Sequence, residues 1–174
     1  MKQSKQAGEK VLIGWTEFVD FPEWQIAGLK AKIDTGARTS ALHVEDIEEL
    51  GQGRVRFHVM IGRRKPLRRK RVTARVIKTA SVRSSNGSNE ERYYVRTTVR
   101  MGGLEKEIEL SLVSRDKMLF RMLLGRKALE HDFIVDVSHR NRMASRPKRT
   151  TAAPRPEGRT KTPRGAKTAS TRNA

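Results

Sequence analysis

The segment Leu29-Lys-Ala-Lys-Ile-Asp-Thr-Gly-Ala-Arg-Thr-Ser-Ala-Leu42 carries the strongest pattern in this chain. Its first half alternates apolar and charged residues, as in a β-strand with one buried face. The alternation ends at Asp34, and a hydroxyl residue and a glycine follow at once. The alternation predicts a strand over 25–33. Because glycine lets the backbone turn sharply, we predict that a tight turn follows and holds Asp34 at the floor of a cleft, and that a short strand over 39–44 leaves this turn.

Asp34 has a local explanation as well as a functional one, because Asp and Gly are favoured in turns for their own hydrogen bonding and conformation. Two features favour a functional carboxylate. The residues after Gly36 are small, which would let a second chain approach. The segment Leu123-Leu124-Gly125-Arg126 follows about ninety positions later, and the two segments together would seldom occur by chance. Asp34 is therefore the candidate catalytic residue.

The positive charge of the chain is concentrated at its C-terminus. The chain has 38 Lys and Arg against 19 Asp and Glu, and residues 140–174 hold eleven of the basic residues but one acid. No large apolar residue follows Met143. Such a segment cannot bury enough apolar surface to offset its conformational entropy. We predict a disordered N-terminus over 1–10, a globular domain over 11–138 and a disordered basic tail over 139–174.

Three features that the sequence lacks limit the possible chemistry and the expected cellular compartment. The chain has no cysteine, which excludes disulfides and thiolate chemistry. No apolar run is long enough to span a bilayer, and residues 1–10 have no apolar segment of the kind that a secretory signal needs. We expect a cytoplasmic protein without a membrane partner.

The rest of the domain is typical of β-structure. Alternating apolar residues and turn signals predict hairpins, including one around Gly102-Gly103 and one around the Asn-Gly pair in 84–89. The segment 62–71 is a basic hairpin tip. The fold class is therefore all-β with at most one short helix, in 125–130. Further strands are predicted over 11–21, 55–61, 72–79, 91–101, 104–113 and 133–137, and the segment 118–124 is apolar apart from Arg121.

Four segments together resemble a bacterial family of retropepsin-like aspartic peptidases: Ala31–His43, Arg96–Arg100, Ile108–Leu112 and Met122–Leu129. That family has also been labelled "ATP-dependent zinc protease" and linked by gene neighbourhood to a ribosomal-protein-modifying glutamate ligase. The resemblance covers about residues 10–138. It implies a retropepsin-like acid-protease barrel with one short C-terminal helix. Each chain would supply half of the site, so the working form would be a homodimer about a two-fold axis.

The resemblance implies an aspartic-type endopeptidase that acts on peptide or protein substrates. Two Asp34 carboxylates about 3 Å apart cannot both be ionised, so they share a proton. The ionised carboxylate takes a proton from the water that attacks the peptide carbonyl, and the protonated one donates to the carbonyl oxygen. This mechanism requires no cofactor and no metal.

Neighbouring residues receive supporting roles from the same resemblance. The Thr35 hydroxyl would brace the paired loops, the Gly36 backbone would face substrate, and Ala37 would complete the catalytic loop. Leu123, Leu124 and Gly125 would support this loop from behind. Arg126 would be a structural arginine paired with an acid.

The lid over the cleft has two candidates. Retropepsins cover their cleft with a glycine-rich hairpin, whereas the segment 62–71 is basic and contains Pro66. The turn 84–89 is the alternative. A basic lid predicts a preference for acidic peptides, to which four arginines would contribute: Arg63, Arg64, Arg68 and Arg69.

A zinc or ATP site finds little support in the sequence. A zinc site needs three or four His, Cys or carboxylate ligands at suitable spacing. The four histidines form no His-Glu-x-x-His motif, and no Gly-x-x-x-x-Gly-Lys-Ser/Thr loop for ATP occurs. We predict neither metal nor nucleotide. The histidines are His43, His58, His131 and His139.

Two other classes of function stay open. Residues 140–174 and the segment 62–71 would bind RNA or other polyanions weakly, through phosphate contacts that depend strongly on salt. The tail has no aromatic side chain for base stacking. Alternatively, a weakly active or inactive domain would serve as a dimeric scaffold or peptide binder, with the tail contacting RNA or ribosomes.

Overall fold

The computed structural model describes residues 9–61, 68–83, 89–113 and 119–143. Within these residues the chain is almost entirely strand, with one helical turn, which confirms the all-β class and the single short helix. The elements are β1 (Val11–Gly14), β2 (Thr16–Phe21), β3 (Ile26–Ile33), β4 (Ser40–Gly51), β5 (Arg54–Ile61), β6 (Arg68–Arg83), β7 (Asn89–Met101), β8 (Leu104–Val113), β9 (Met122–Leu124), α1 (Arg126–Leu129) and β10 (Phe133–Asp136).

Eight of the strands form one sheet that closes on itself. Their order is β2-β3-β9-β4-β5-β6-β7-β8, and β2 also pairs with β7 while β4 also pairs with β8. The inward faces share one apolar core, in which Phe21, Phe57 and Leu110 are fully buried. Strands β1 and β10 form a separate parallel ribbon in which Leu12 lies beside Ile134. This closed all-β architecture is consistent with the acid-protease barrel that the resemblance implies.

Local patterns located several elements correctly. The Gly102-Gly103 turn joins β7 to β8 as predicted, and both glycines have positive φ, at +56° and +84°. That left-handed backbone costs glycine little, which is why the pair marks a hairpin. No helix among the described residues is long and apolar enough to cross a membrane.

Strand β6 is longer than predicted at both ends of 72–79. Residues 68–71, predicted as part of the hairpin tip 62–71, belong to this strand and pair with β5.

Two other strands differ from the sequence-based prediction because of their hydrogen bonds. The strand predicted over 11–21 breaks at Trp15, whose N–H donates to the His139 carbonyl at 2.9 Å and whose carbonyl accepts from the Ile33 N–H at 2.9 Å. Strand β4 runs to Gly51, well beyond the predicted end at Val44. Its second half pairs with β5 through two register shifts and is largely exposed, so it lacks the alternation that marks a half-buried strand.

The lid candidates and the chain ends lie mostly outside the described residues. Residues 62–67 and 84–88 are not described, and neither are 1–8, 114–118 and 144–174. Strand β6 belongs to both candidate hairpins, because it pairs with β5 across the first and with β7 across the second. The choice between the two lids therefore stays open.

Residues 139–143 pack against the domain, although we predicted that the tail begins at 139. The Asn141 N–H donates to the Thr16 carbonyl at 2.7 Å. The N–H groups of Arg142 and Met143 donate to the Glu17 carboxylate at 2.8 and 3.1 Å, and the Gly14 N–H joins them at 2.7 Å. The contacts of the domain therefore extend past the predicted boundary at residue 138. The sequence does not show these contacts, because the N–H groups of Arg142 and Met143 approach Glu17 only in the folded chain.

Glu17 is fully buried, with 0% of its surface exposed, so its three backbone donors are needed to compensate for lost hydration. We expect Glu17→Gln to lower the free energy of unfolding by about 2 kcal/mol, because the amide keeps one acceptor oxygen and leaves at least one buried N–H without its partner. Urea unfolding of the full chain measures this.

The matched control is Glu105→Gln. Glu105 is about half exposed and forms an ion pair with Arg100, a type of contact that contributes under about 1 kcal/mol. Equal losses in both variants would contradict the role of Glu17 as the anchor of residues 142–143.

Candidate catalytic site

Strand β9 holds the loop that contains Asp34. The loop 34–39 joins β3 to β4, and β9 lies between these two strands. It runs parallel to β3, with Leu124 beside Ile33, and antiparallel to β4, with Leu123 beside Ala41. The Asp34 N–H donates to the Leu124 carbonyl at 2.9 Å. The loop therefore starts from a three-stranded base, and its backbone is fixed at the catalytic candidate itself.

The Asp34 carboxylate is anchored through one of its two oxygens. The N–H groups of Gly36 and Ala37 donate to Oδ1 at 3.1 and 3.2 Å. Among the described residues, none donates a hydrogen bond to Oδ2. Asp34 is half-buried, while Thr35 and Gly36 are exposed. The arrangement orients the carboxylate from within its own turn and leaves one oxygen free for a second group.

The start of α1 holds the other end of the loop. The Arg126 N–H donates to the Ala37 carbonyl at 2.9 Å, and the Lys127 N–H donates to the Arg38 carbonyl at 3.1 Å. A Cβ at Gly125 would lie 2.7 Å from both the C and O atoms of Thr39. Only glycine allows this approach of two backbones. The structure thus places the predicted supporting segment, Leu123 to Gly125, directly behind the loop.

Arg126 supports the loop through backbone carbonyls. Its Nη1 donates to the carbonyl oxygens of Thr35 and Gly36, at 2.9 Å each. Among the described residues Arg126 forms no ion pair, so these two carbonyls stand where we expected an acidic partner. The two hydrogen bonds fix the two peptide units that follow Asp34, and they occupy one nitrogen of the guanidinium.

Ser40 is a site residue that the sequence analysis counted only as small. It is buried, its Oγ accepts the Gly125 N–H at 3.2 Å, and its carbonyl accepts the Ser111 hydroxyl at 3.1 Å. It therefore links β4, β8 and the start of α1 next to the loop. A hydroxyl residue that opens a buried strand is the sequence signal for such a role.

Two histidines lie in ion-pair geometry on β4 and β5. His43 is buried, with Nε2 3.5 Å from Glu45, and His58 Nδ1 lies 3.2 Å from Asp46. The described residues contain no group of three His, Asp or Glu side chains arranged as metal ligands. Arg69, one of the four lid arginines, pairs with Glu45 at 3.3 Å and also with Asp46.

Three displaced pKa values belong to contacts outside the Asp34 loop. A hydrogen bond to the Glu49 carboxylate raises the pKa of Tyr93 above its usual value. The Lys78 ammonium lowers the pKa of Glu109 through a hydrogen bond. The Ser138 hydroxyl and N–H, and then His139, lower the pKa of Asp136. We interpret all three as local contacts of strands and of the turn after β10.

Comparison with known proteins identifies the family. The family model described as retropepsin-like aspartic endopeptidase RimB matches residues 12–147. A protein named probable alpha-L-glutamate ligase from Shewanella pealeana is 37% identical over 134 residues, or 74% of this chain and 29% of that protein. A protein of the same name from Desulfotalea psychrophila is 38% identical over 133 residues, 73% of this chain and 28% of that protein.

These relatives are much longer than the region they share with this chain, which spans less than a third of their length. A solved structure of a Legionella pneumophila protein of unknown function matches with a TM-score of 0.66 at 22% identity, over 78% of this chain and all of that one. That likeness shows a shared fold. Together with the family model, these matches confirm the resemblance that the Asp34 segment indicated. The chain belongs to the RimB-like family of retropepsin-like aspartic endopeptidases.

Proposed function

We propose that this protein is an aspartic-type endopeptidase whose working site forms from the Asp34 loops of two copies. One observation carries the proposal. The Asp34 carboxylate is oriented by the N–H groups of Gly36 and Ala37 through Oδ1, while Oδ2 has no partner among the described residues. A fixed carboxylate with one open oxygen suits a group that must accept and return a proton.

The reaction follows from pairing two such carboxylates. Held close together, they share one proton, because two adjacent negative charges repel. The ionised Asp34 removes a proton from water, the resulting nucleophile attacks the peptide carbonyl, and the protonated Asp34 of the second copy donates to the carbonyl oxygen. The tetrahedral intermediate then collapses: the C–N bond breaks, the carboxyl that took the water proton gives it to the leaving nitrogen, and the second Asp34 takes back its proton as the carbonyl re-forms. The exposure of Thr35 and Gly36 supports the approach of a second loop. The hydrogen bonds from Arg126 support a loop that keeps its shape during pairing.

Acidic peptides are the substrates that we favour. The relatives are named for glutamate ligation, which directs attention to peptides that contain glutamate. The basic segment 62–71 also favours acidic peptides, because its positive charges attract carboxylates. Of its arginines, Arg69 already pairs with acids of β4, so we expect it to contribute less to substrate binding than its charge suggests.

The first test is cleavage of a random peptide pool at pH 4 to 7, with and without EDTA. We expect cleavage that survives EDTA, because the proposed reaction uses two carboxylates and water. Mixing wild-type and Asp34→Asn subunits then tests the shared site. Activity should fall as the square of the wild-type fraction if each active dimer needs two Asp34 residues.

Three outcomes would contradict the proposal. A linear fall in the mixing experiment would mean that one chain suffices. Cleavage that EDTA abolishes would indicate a metal enzyme. No cleavage by the wild-type chain would favour the alternative, an inactive dimeric scaffold or peptide binder.

A further inference from the structure

Lys32 shares a face of β3 with Asp34. Ala31 and Ile33 point into the core, with 0% and 6% of their surface exposed. Side chains alternate along a strand, so Lys32 lies on the opposite face, as does Asp34, which follows β3 directly. Two residues of strand separate their Cα atoms by about 6.6 Å. Lys32 therefore places an ammonium-bearing side chain on the same face as the catalytic candidate, two residues before it.

Two apolar residues lie in the same row as Lys32. The strand register places Lys32 beside Leu123, and Leu123 beside Ala41. Leu123 and Ala41 are each 8% exposed and lie outside the main core cluster. On this face of the three strands that hold the Asp34 loop, Lys32 is thus the exposed member of a row whose two apolar members are almost fully buried.

Lys32 is exposed, and its side chain forms no ion pair or hydrogen bond with the residues that the structure describes. Other lysines of the sheet are engaged. Lys30, two residues earlier on the same face, lies 5.7 Å from the centre of the Phe18 ring, and Lys106 pairs with Asp132. Arg126 already donates to loop carbonyls. Lys32 is therefore free to bind an anion next to Asp34.

We propose that Lys32 is a specificity-determining residue, whose ammonium group binds the carboxylate side chain of a peptide residue next to the scissile bond. This inference rests on the proposed peptidase function. An acidic side chain close to an ionised Asp34 is repelled unless a cation compensates, and a charge-assisted hydrogen bond from Lys32 supplies that compensation. With two copies, one Lys32 serves each side of the scissile bond, which selects acidic residues on both sides.

The test compares two peptides that differ only in Glu or Gln at the two residues flanking the scissile bond. The full chain is assayed as wild type, Lys32→Gln and Lys30→Gln, the last being the matched control on the same face. We expect Lys32→Gln to lower kcat/KM for the Glu peptide about tenfold, as for one hydrogen bond to a charged group. The Gln peptide should change less than about twofold, since it makes no such ion pair.

Further variants separate charge recognition from a structural role. Lys32→Arg should restore the preference for the Glu peptide, and Lys32→Glu should shift the preference to a peptide with Lys at the same positions. The wild-type preference should shrink as salt rises, because exposed charges are screened. Lys30→Gln should change neither peptide.

The outcomes distinguish this inference from the proposed function. Wild-type enzyme that cleaves both peptides equally, or a Lys32→Gln variant that loses both equally, would overturn the role of Lys32 and leave the peptidase intact. If wild type cleaves neither peptide nor the pool, the proposed function fails. Binding of the labelled Glu peptide to wild type and Lys32→Gln then decides: equal affinity overturns the role of Lys32, and weaker binding in the variant supports it.

Discussion

Asp34→Asn is expected to lower kcat for peptide cleavage by at least about a thousandfold while the fold stays intact. The amide has nearly the same shape as the carboxylate and keeps an oxygen that can accept the Gly36 and Ala37 N–H groups. It cannot take a proton from water, and general acid–base catalysis by one group contributes about 10²- to 10⁴-fold. Steady-state kinetics on a cleaved peptide, with urea unfolding of the same preparation, measures both effects.

Asp20→Asn is the matched control for this variant. Asp20 also accepts a backbone N–H, from Gly28 at 2.7 Å, but it lies on β2 outside the Asp34 loop. We expect its kcat to match wild type. An Asp34→Asn variant that retains wild-type kcat would refute the aspartic mechanism, and activity that EDTA then removes would point to a metal enzyme.

Gly125→Ala is expected to cost about 3 kcal/mol of stability and at least about a hundredfold in kcat. The new Cβ would lie 2.7 Å from the C and O atoms of Thr39 and 3.0 Å from the Ala37 carbonyl oxygen. These are backbone atoms, so the loop itself has to move, at the upper end of the usual cost of overpacking. A displacement of about 1 Å in a catalytic group can lower the rate a hundredfold.

Gly14→Ala separates the effect on activity from the effect on stability. A Cβ at Gly14 would lie 2.6 Å from the His139 carbonyl oxygen, so this variant also forces backbone to move, but on residues 139–140 instead of the Asp34 loop. We expect similar destabilisation with wild-type kcat per folded molecule. Equal losses of kcat in both variants would show that activity simply follows stability, and a Gly125→Ala variant identical to wild type would show that the loop adapts.

The sequence by itself determined the all-β class, the Asp34 turn, the Gly102-Gly103 hairpin and the helical turn after Gly125. Each of these depends on neighbours along the chain. The alternation before Asp34 has the period of a strand, and two adjacent glycines allow the positive φ of a tight hairpin. A resemblance to a known family also singles out the segment Leu123 to Arg126. The sequence does not show that this segment lies between β3 and β4.

Only the tertiary structure decided what holds these elements together. Arg126 reaches the carbonyl of Thr35 from 91 positions away, and the Arg142 N–H reaches Glu17 from 125 positions away. Trp15 divides the first predicted strand because its hydrogen bonds go to Ile33 and His139. Local patterns report which face of a strand is apolar. They carry no information about which distant donor meets a given acceptor, because that pairing is fixed only when the sheet closes and each buried polar group must find a partner.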